Sequence, residues 1–422
     1  MTPAQLQANR SAQNRPTQVS SKTRVTFAGL LKDLIPPPTR PVAATTLQNA
    51  PLAHLTYPDE LAIKDKALKA FWKYFKLAGQ PEPVIGSPKP RHYRTTSKRR
   101  AVYKGSILQL LSGDKTPQNK PFVESPLEPK IHGLIYKFLQ EKISEQSFKL
   151  LATHLNYLII RGGYSEQAVI FNVDTMNGPI VRKLKIIADH LQNLNTSITS
   201  AFIYLDPSKS DYYLEERQPA DLLHFKKLFG KGNLSVTHLE SRYSYHPTSF
   251  SQVNESIVPR MLEIVRQELN PVTSETLIDL YCGYGLFSHH LSSLYKNVLG
   301  IDAEGPSIRS AILNSKLNPS SSNINFKAQR ITLQSIEDLR PPKSKESIIL
   351  DPPRKGPSEG VIAALSKRFP QKVLHIFCGV NQIPDSVNQW QTHGYTISRI
   401  IPIDMFPGSP NLEVLILFTP GT

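Results

Sequence analysis

The chain has 422 residues, 39% apolar and 20% charged, with a formal net charge of +16, a composition that can bury a core and excludes a disordered or collagen-like chain. Its two cysteines, Cys282 and Cys378, exclude a disulfide framework, a four-cysteine zinc site and a cysteine-held iron–sulfur cluster. No apolar run approaches the roughly 18 residues of a membrane span, and the first residues form no hydrophobic signal region, so a cytoplasmic protein without membrane contact is expected.

The excess charge is localised. Residues 1–150 carry 24 Lys and Arg against 10 Asp and Glu, whereas residues 151–422 carry 26 against 24. A basic first third points to a polyanion, with nucleic acid the leading candidate. Residues 1–55 are rich in Gln, Asn, Ser, Thr and Pro, and read as a mobile tail with one short ordered piece at Val25–Ile35. Leu61, Leu68, Phe71, Trp72 and Phe75 then recur on one face of a helix that Asp59 caps and Gly79 ends. An extended basic segment follows. In it Tyr93 and Tyr103 interleave with Arg91, Arg94, Lys98, Arg99, Arg100 and Lys104. Basic side chains hold phosphates and aromatic rings stack on bases, which suits single-stranded or looped RNA; the alternative is a solvated edge strand.

Residues 105–240 mix strand-like runs (156–161, 168–172, 201–205) with helices at 129–142 and 178–191, an α+β module without a chemical motif of its own. From about 255 the rhythm alternates helix, apolar strand and loop to the C-terminus, which implies a parallel sheet with helices on both faces. The expected organisation is a tail over 1–55, a basic lead and α+β RNA-recognition module over 56–245, and a doubly wound α/β catalytic domain over 246–422.

Chemistry concentrates at strand ends of the last domain. Leu277-Ile-Asp-Leu-Tyr281-Cys-Gly283-Tyr-Gly285 is an apolar strand running into a glycine turn and a helix, where open α/β sheets bind ligands. The next strand ends in Asp302, placed to hold ribose hydroxyls. The three-glycine dinucleotide fingerprint is missing, and Asp-x-x-x-Gly-x-Gly suits S-adenosylmethionine better. Ile348-Ile-Leu-Asp351-Pro-Pro-Arg354 ends a strand in an acid followed by two rigid prolines. Val373-Leu-His-Ile-Phe-Cys378 delivers a cysteine at a strand end, and Asp404-Met-Phe-Pro-Gly-Ser-Pro-Asn-Leu-Glu413 precedes the final strand. The twelve histidines show no metal-ligand spacing, so no metal is assigned.

Together these motifs resemble the uracil-5 methyltransferases of tRNA and rRNA. The resemblance covers about 245–422, including Ser249-Phe-Ser-Gln252-Val-Asn254, and extends weakly to 87–101. The lack of clustered cysteines resembles the cluster-free, tRNA-type branch. The resemblance implies a class I methyltransferase fold, an RNA substrate, and S-adenosylmethionine held by Gln252, Tyr281, Gly283, Asp302 and Asp351. It puts Cys378 at the nucleophile position and Glu413 at the general-base position, whereas Cys282 is expected to be structural.

The residue types fit that chemistry. Carbon 5 of uracil is too weak a nucleophile to take a methyl group unaided. A thiolate adding to carbon 6 loads electron density onto carbon 5, and a base must then remove the carbon-5 proton. The base must also be flipped out of any stack. The chain departs from the family pattern at Leu286, Gly379-Val380 and Ser409-Pro410-Asn411. Two other readings stay open at this point: a non-catalytic RNA-binding or folding factor on the same scaffold, and methylation of another RNA base atom.

Overall fold

The computed structural model describes residues 25–112, 124–194, 196–209, 224–318 and 322–421. The lead comprises α1 (Phe27–Lys32), α2 (Ala44–Asn49) and α3 (Tyr57–Tyr74). A six-stranded module follows: β1 (Ser97–Lys104), β2 (Ile107–Leu111), α4 (Lys130–Ile143), α5 (Lys149–His154), β3 (Leu155–Gly162), β4 (Gln167–Val173), α6 (Gly178–Gln192), β5 (Ile198–Leu205) and β6 (Phe225–Gly230). A hairpin, β7 (Leu234–His238) and β8 (Ser241–Tyr245), and α7 (Val258–Leu269) lead into the large domain. This holds β9 (Thr276–Leu280), α8 (Leu286–Leu291), β10 (Asn297–Asp302), α9 (Pro306–Leu317), β11 (Ile324–Ala328), α10 (Leu333–Glu337) and β12 (Glu346–Leu350). It ends with α11 (Val361–Ser366), β13 (Lys372–Phe377), α12 (Ile383–Thr392), β14 (Tyr395–Ile403) and β15 (Glu413–Pro420).

The large sheet runs β11-β10-β9-β12-β13-β15-β14. Its first five strands are parallel, and β15 is antiparallel to both β13 and β14. Helices cover both faces, so the inner strands are buried on both sides and read as near-continuous apolar runs; β12 (ESIIL) is buried throughout. The strand order reverses between β9 and β12, which opens a crevice at their carboxyl ends. This is the doubly wound fold expected from the alternating rhythm.

The six-stranded sheet runs β2-β1-β3-β4-β5-β6, with β4 and β5 parallel across α6 and the other neighbours antiparallel. One face packs on α4, α5 and α6. The other meets the hairpin and α7 through Tyr157, Ile159, Ile170 and Phe202, in a core continuous with the large domain.

The short ordered piece expected at Val25–Ile35 is α1, and order continues through the rest of the lead. Residues 25–55 pack on the large domain: Phe27, Leu31 and Leu52 are buried in the same cluster as Trp390 and Ile383. The α3 helix is capped by Thr56, whose hydroxyl accepts from the Asp59 N–H, rather than by Asp59 itself. Its apolar face (Leu68, Phe71, Trp72) lies in that same cluster. Residues 82–85 extend the large sheet beside β14, with Glu82 N–H donating to Ile400 O and Ile85 N–H to Pro402 O. The lead thus packs on the large sheet and its helices. Residues 1–24 of the expected tail lie outside the described residues. No described helix is long and apolar enough to cross a membrane.

Candidate active site

The glycine turn after β9 is a strained loop with fixed ends. Tyr281 has φ 63°, a left-handed conformation that costs a bulky residue about 1–3 kcal/mol. The N–H groups of Tyr281 and Cys282 both donate to Ile301 O, at 2.9 and 3.2 Å, and hold the turn against β10. Gly283 (φ 57°) has open space where a Cβ would stand, so a ligand can reach its backbone. Gly285 (φ 83°) has none: a Cβ there would meet His289 and Phe326 at 2.9 Å.

Asp302, at the end of β10, reaches across to this turn. One carboxylate oxygen accepts from Gly283 N–H at 2.7 Å and the other from Ala303 N–H at 2.7 Å. These two bonds fix the carboxylate against the glycine turn at the carboxyl end of β10. The acid within β9, Asp279, is fully buried. Its Oδ2 accepts from the Ser288 N–H (3.0 Å) and hydroxyl (2.6 Å), whereas its Oδ1 has no partner among the described residues. Burial pushes its carboxyl up to about 7, and the Asp302 charge adds to the rise. Asp279 was absent from the expected site set, although its spacing to the glycines marked it: an acid inside an apolar strand must have a reason to be there.

Asp351 follows β12, half-buried. Burial and the charges of Glu413, Asp279 and Asp302 raise its carboxyl well above the ordinary range. The antiparallel register of β13 and β15 pairs Phe377 with Val414, and extending it by one residue sets Cys378 beside Glu413. The Cys378 thiol lies 3.7 Å from Pro352 O of the Asp-Pro-Pro loop. Glu413 is 3% exposed, and its Oε2 is without a partner among the described residues. Burial raises its carboxyl to about 7, with Arg354 pulling the other way. Burial, then Asp351 and Glu413, push the Cys378 thiol up to about 12, again opposed by Arg354.

Five expected residues thus converge at the carboxyl ends of β9, β10, β12 and β13 and the start of β15: Gly283, Asp302, Asp351, Cys378 and Glu413. Tyr281 supplies the strained backbone beside them, while its ring packs partly against the core below. Gln252 sits half-buried in the linker between β8 and α7 and makes no hydrogen bond among the described residues. The linker is nonetheless anchored on both sides. Arg161 donates to Ser249 O and to Ser251 Oγ (2.9 Å), and Asn254 donates to Met405 O at 3.2 Å. Cys282 packs with Ile308 and Ala311, as a structural cysteine should.

The departures from the family pattern have local explanations. Leu286 is buried in the core between the sheets. Val380 is buried, and Asn381 accepts the Phe27 N–H at 2.9 Å, so this loop anchors α1. The Ser409 hydroxyl donates to Phe406 O at 2.9 Å and accepts from Asn411, folding the loop on itself.

The basic segment needs correcting residue by residue. Tyr93 is wholly buried with its hydroxyl on Pro407 O at 3.0 Å, and cannot stack on a base. Arg91 pairs with Glu60 at 3.0 Å, and buried Arg99 makes a bidentate pair with Glu128 at 3.0 and 2.6 Å. Tyr103 faces the helical side of the sheet. The other face of β1, shared with Tyr157, carries Lys98, Arg100 and Lys104, and Lys98 lies 5.1 Å over the Tyr157 ring. β1 is not an edge strand, because β2 lies outside it. Alternation along the strand, not composition, decides which of these charges a polyanion can reach.

A cationic, sulfonium-bearing methyl donor fits this set of groups. Asp279 offers a buried orphan oxygen, Asp302 and Asp351 offer acceptors, and Gly283 leaves room for close approach. Among the described residues, no group of three or more His, Cys, Asp or Glu side chains is arranged to hold a metal ion.

Comparison with known proteins agrees with this chemistry. The profile of the tRNA (uracil-5-)-methyltransferase family matches residues 206–420. An RNA methyltransferase of Nanoarchaeum equitans is 26% identical over 368 residues, covering 86% of this chain and 76% of that protein. One of Streptococcus pyogenes is 24% identical over 388 residues, covering 87% and 79%. The crystal structure of Pyrococcus abyssi tRNA (uracil-54, C5)-methyltransferase in complex with S-adenosyl-L-homocysteine matches with a TM-score of 0.66 at 24% identity, covering 87% of this chain and 85% of that one, and shares its fold. The chain belongs to the tRNA (uracil-5-)-methyltransferase family, and is an S-adenosylmethionine-dependent RNA methyltransferase of class I fold.

Proposed function

We propose that this family member methylates carbon 5 of a uridine in a structured RNA, tRNA in the first instance, through a covalent bond between Cys378 and carbon 6. The observation that supports this reading is the β13–β15 register, which pairs Phe377 with Val414, the neighbours of Cys378 and Glu413. S-adenosylmethionine supplies an electrophilic methyl group on a sulfonium. Asp279, Asp302 and Asp351 would hold it, and its positive charge there would offset Asp351 and Glu413, the acids that push the Cys378 thiol up. Cys378 releases its proton to solvent and, as thiolate, adds to carbon 6; the electron pair of the 5,6 double bond moves to carbon 5, which takes the methyl group as the methyl–sulfur bond breaks and S-adenosylhomocysteine leaves. Glu413 then removes the carbon-5 proton, the double bond re-forms, and the thiolate leaves. Both cysteines are free, as in a reducing compartment such as the cytoplasm.

The product tests the reading. Mass analysis of tRNA and rRNA from a strain lacking the gene should reveal the loss of 5-methyluridine at one position. Loss of a different methylated nucleotide would favour another target atom, and an unchanged spectrum would favour a non-catalytic RNA-binding role.

The face of β1 that carries Lys98, Arg100 and Lys104 is proposed to make the phosphate contacts. Each contact lowers the slope of log affinity against log salt by about 0.7–0.9. Replacing Lys98, Arg100 and Lys104 together with Gln should therefore flatten that slope by about 2. An unchanged slope would leave this face merely solvated. Arg99→Gln should instead lower stability, since it strips a buried partner from Glu128.

A further inference from the structure

The loop that leads to Glu413 is gripped along its first five residues by the lead. Asp404 N–H donates to Ile85 O. The Asp404 carboxylate accepts from Lys64 Nζ at 2.7 Å and from the Tyr57 hydroxyl at 3.1 Å. Phe406 O accepts from Lys64 Nζ at 3.2 Å, and Pro407 O accepts from Tyr93. Gly408 N–H donates to Glu60 Oε1, and Gly408 O accepts from Leu52 N–H at 3.1 Å. Lys64 also pairs with Glu60 at 3.0 Å, and the side chains of Lys64, Glu60 and Asp404 are all 0% exposed.

A wholly buried ammonium between two buried carboxylates is costly to assemble and contributes little net stability compared with apolar packing. What it provides is geometry: it has one arrangement in which every charge is paired. The groups it fixes are not on its own helix but on residues 404–408, five residues before Glu413. The α3 helix is itself anchored by Leu68, Phe71 and Trp72 in the core of the large domain, so the clamp has a rigid base.

We infer that Lys64, with Glu60 and Tyr57, forms a clamp that positions the 404–412 loop and thereby Glu413 for removal of the carbon-5 proton. Lys64 is a positioning residue, since it acts through the loop and does not touch the reacting atoms. The inference rests on the reading of Glu413 as the base. It assigns the lead a part in the last chemical step, the breakdown of the methylated adduct, rather than in RNA capture.

The test uses the full chain, S-adenosylmethionine and a tRNA transcript containing ordinary uridine. Lys64→Met keeps the length of the side chain and removes the charge. It should lower kcat by 10- to 100-fold, leave KM for RNA and for S-adenosylmethionine within about twofold, and accumulate a methylated protein–RNA adduct on a denaturing gel. A merely structural role would not stall the reaction after methyl transfer. Tyr57→Phe removes one bond to Asp404 and should show the same adduct with a kcat loss of a few-fold; it decides the matter if Lys64→Met does not fold. Variants that bind S-adenosylmethionine normally and show either unchanged kcat, or a lower kcat without adduct, would overturn the inference. Glu413→Gln runs alongside. If it accumulates adduct and the clamp variants do not, the clamp alone fails; if it accumulates none, the reading of Glu413 fails and the clamp falls with it.

Discussion

Cys378→Ala should abolish methyl transfer, by at least about 10⁴-fold, while leaving RNA and S-adenosylmethionine binding nearly intact. The reason is the order of events. On the proposed route carbon 5 is too weak a nucleophile to take the methyl group until a thiolate has added at carbon 6, and Cys378 supplies that thiolate. Glu413→Gln should behave differently. Addition and methyl transfer precede the step that needs a base, so the variant should slow turnover by about 10²–10⁴-fold and strand the methylated adduct. Glu413 accepts a proton only as a carboxylate and is raised to about 7, so adduct breakdown in the wild type should quicken as pH rises through neutrality. Denaturing gels and single-turnover assays across pH 5.5–8.5 check all three. Cys282→Ala should retain methylation and lose a little stability, because its thiol packs against Ile308 and Ala311. Methylation by Cys378→Ala would overturn the covalent route.

Asp302→Ala should weaken S-adenosylmethionine binding by about 1.5–3 kcal/mol, roughly 10- to 150-fold. Two effects add. The charge-assisted hydrogen bonds proposed for the ribose hydroxyls would vanish, and the Gly283 N–H loses the acceptor that now holds it at 2.7 Å. Asp302→Asn keeps an oxygen for Gly283 and should lose less. Calorimetry on the three proteins separates the contributions; equal affinity in all three would remove Asp302 from the cofactor site.

The parts of the molecule legible in the sequence are those governed by local pattern. β9, β10, β12 and β13 read as apolar runs because parallel strands under helices are buried on both faces, and their polar ends stand out by contrast: Asp302, Asp351, Cys378. β14 and α12 are harder to find. Residues 395–403 mix Thr, Ser, Arg and Pro with isoleucines, since one edge of that strand is covered only by residues 82–85, which come from far away in sequence. The lead is the clearest case. Its Pro- and Gln-rich composition resembles a tail beyond Val25–Ile35, yet Leu52 is wholly buried in a cluster that joins α3 to Ile383 and Trp390, more than 300 positions later. Tyr93 sits among arginines and reads as a base-stacking ring, but a contact with Pro407 decides its burial. Asp404 looks like one more acid of a catalytic loop until Lys64 is found beneath it. Local pattern carries strand ends well and long-range partners not at all.

The covalent route through Cys378 has one direct test. The wild-type protein, S-adenosylmethionine and a tRNA transcript containing 5-fluorouridine are incubated, digested and examined by mass spectrometry. Fluorine at carbon 5 cannot leave as a cation, so Glu413 has no proton to take and the adduct cannot resolve. The expected result is a methylated, fluorinated nucleotide bonded to the peptide that contains Cys378. Binding of the same RNA without any covalent product, or a bond to the Cys282 peptide instead, would contradict it.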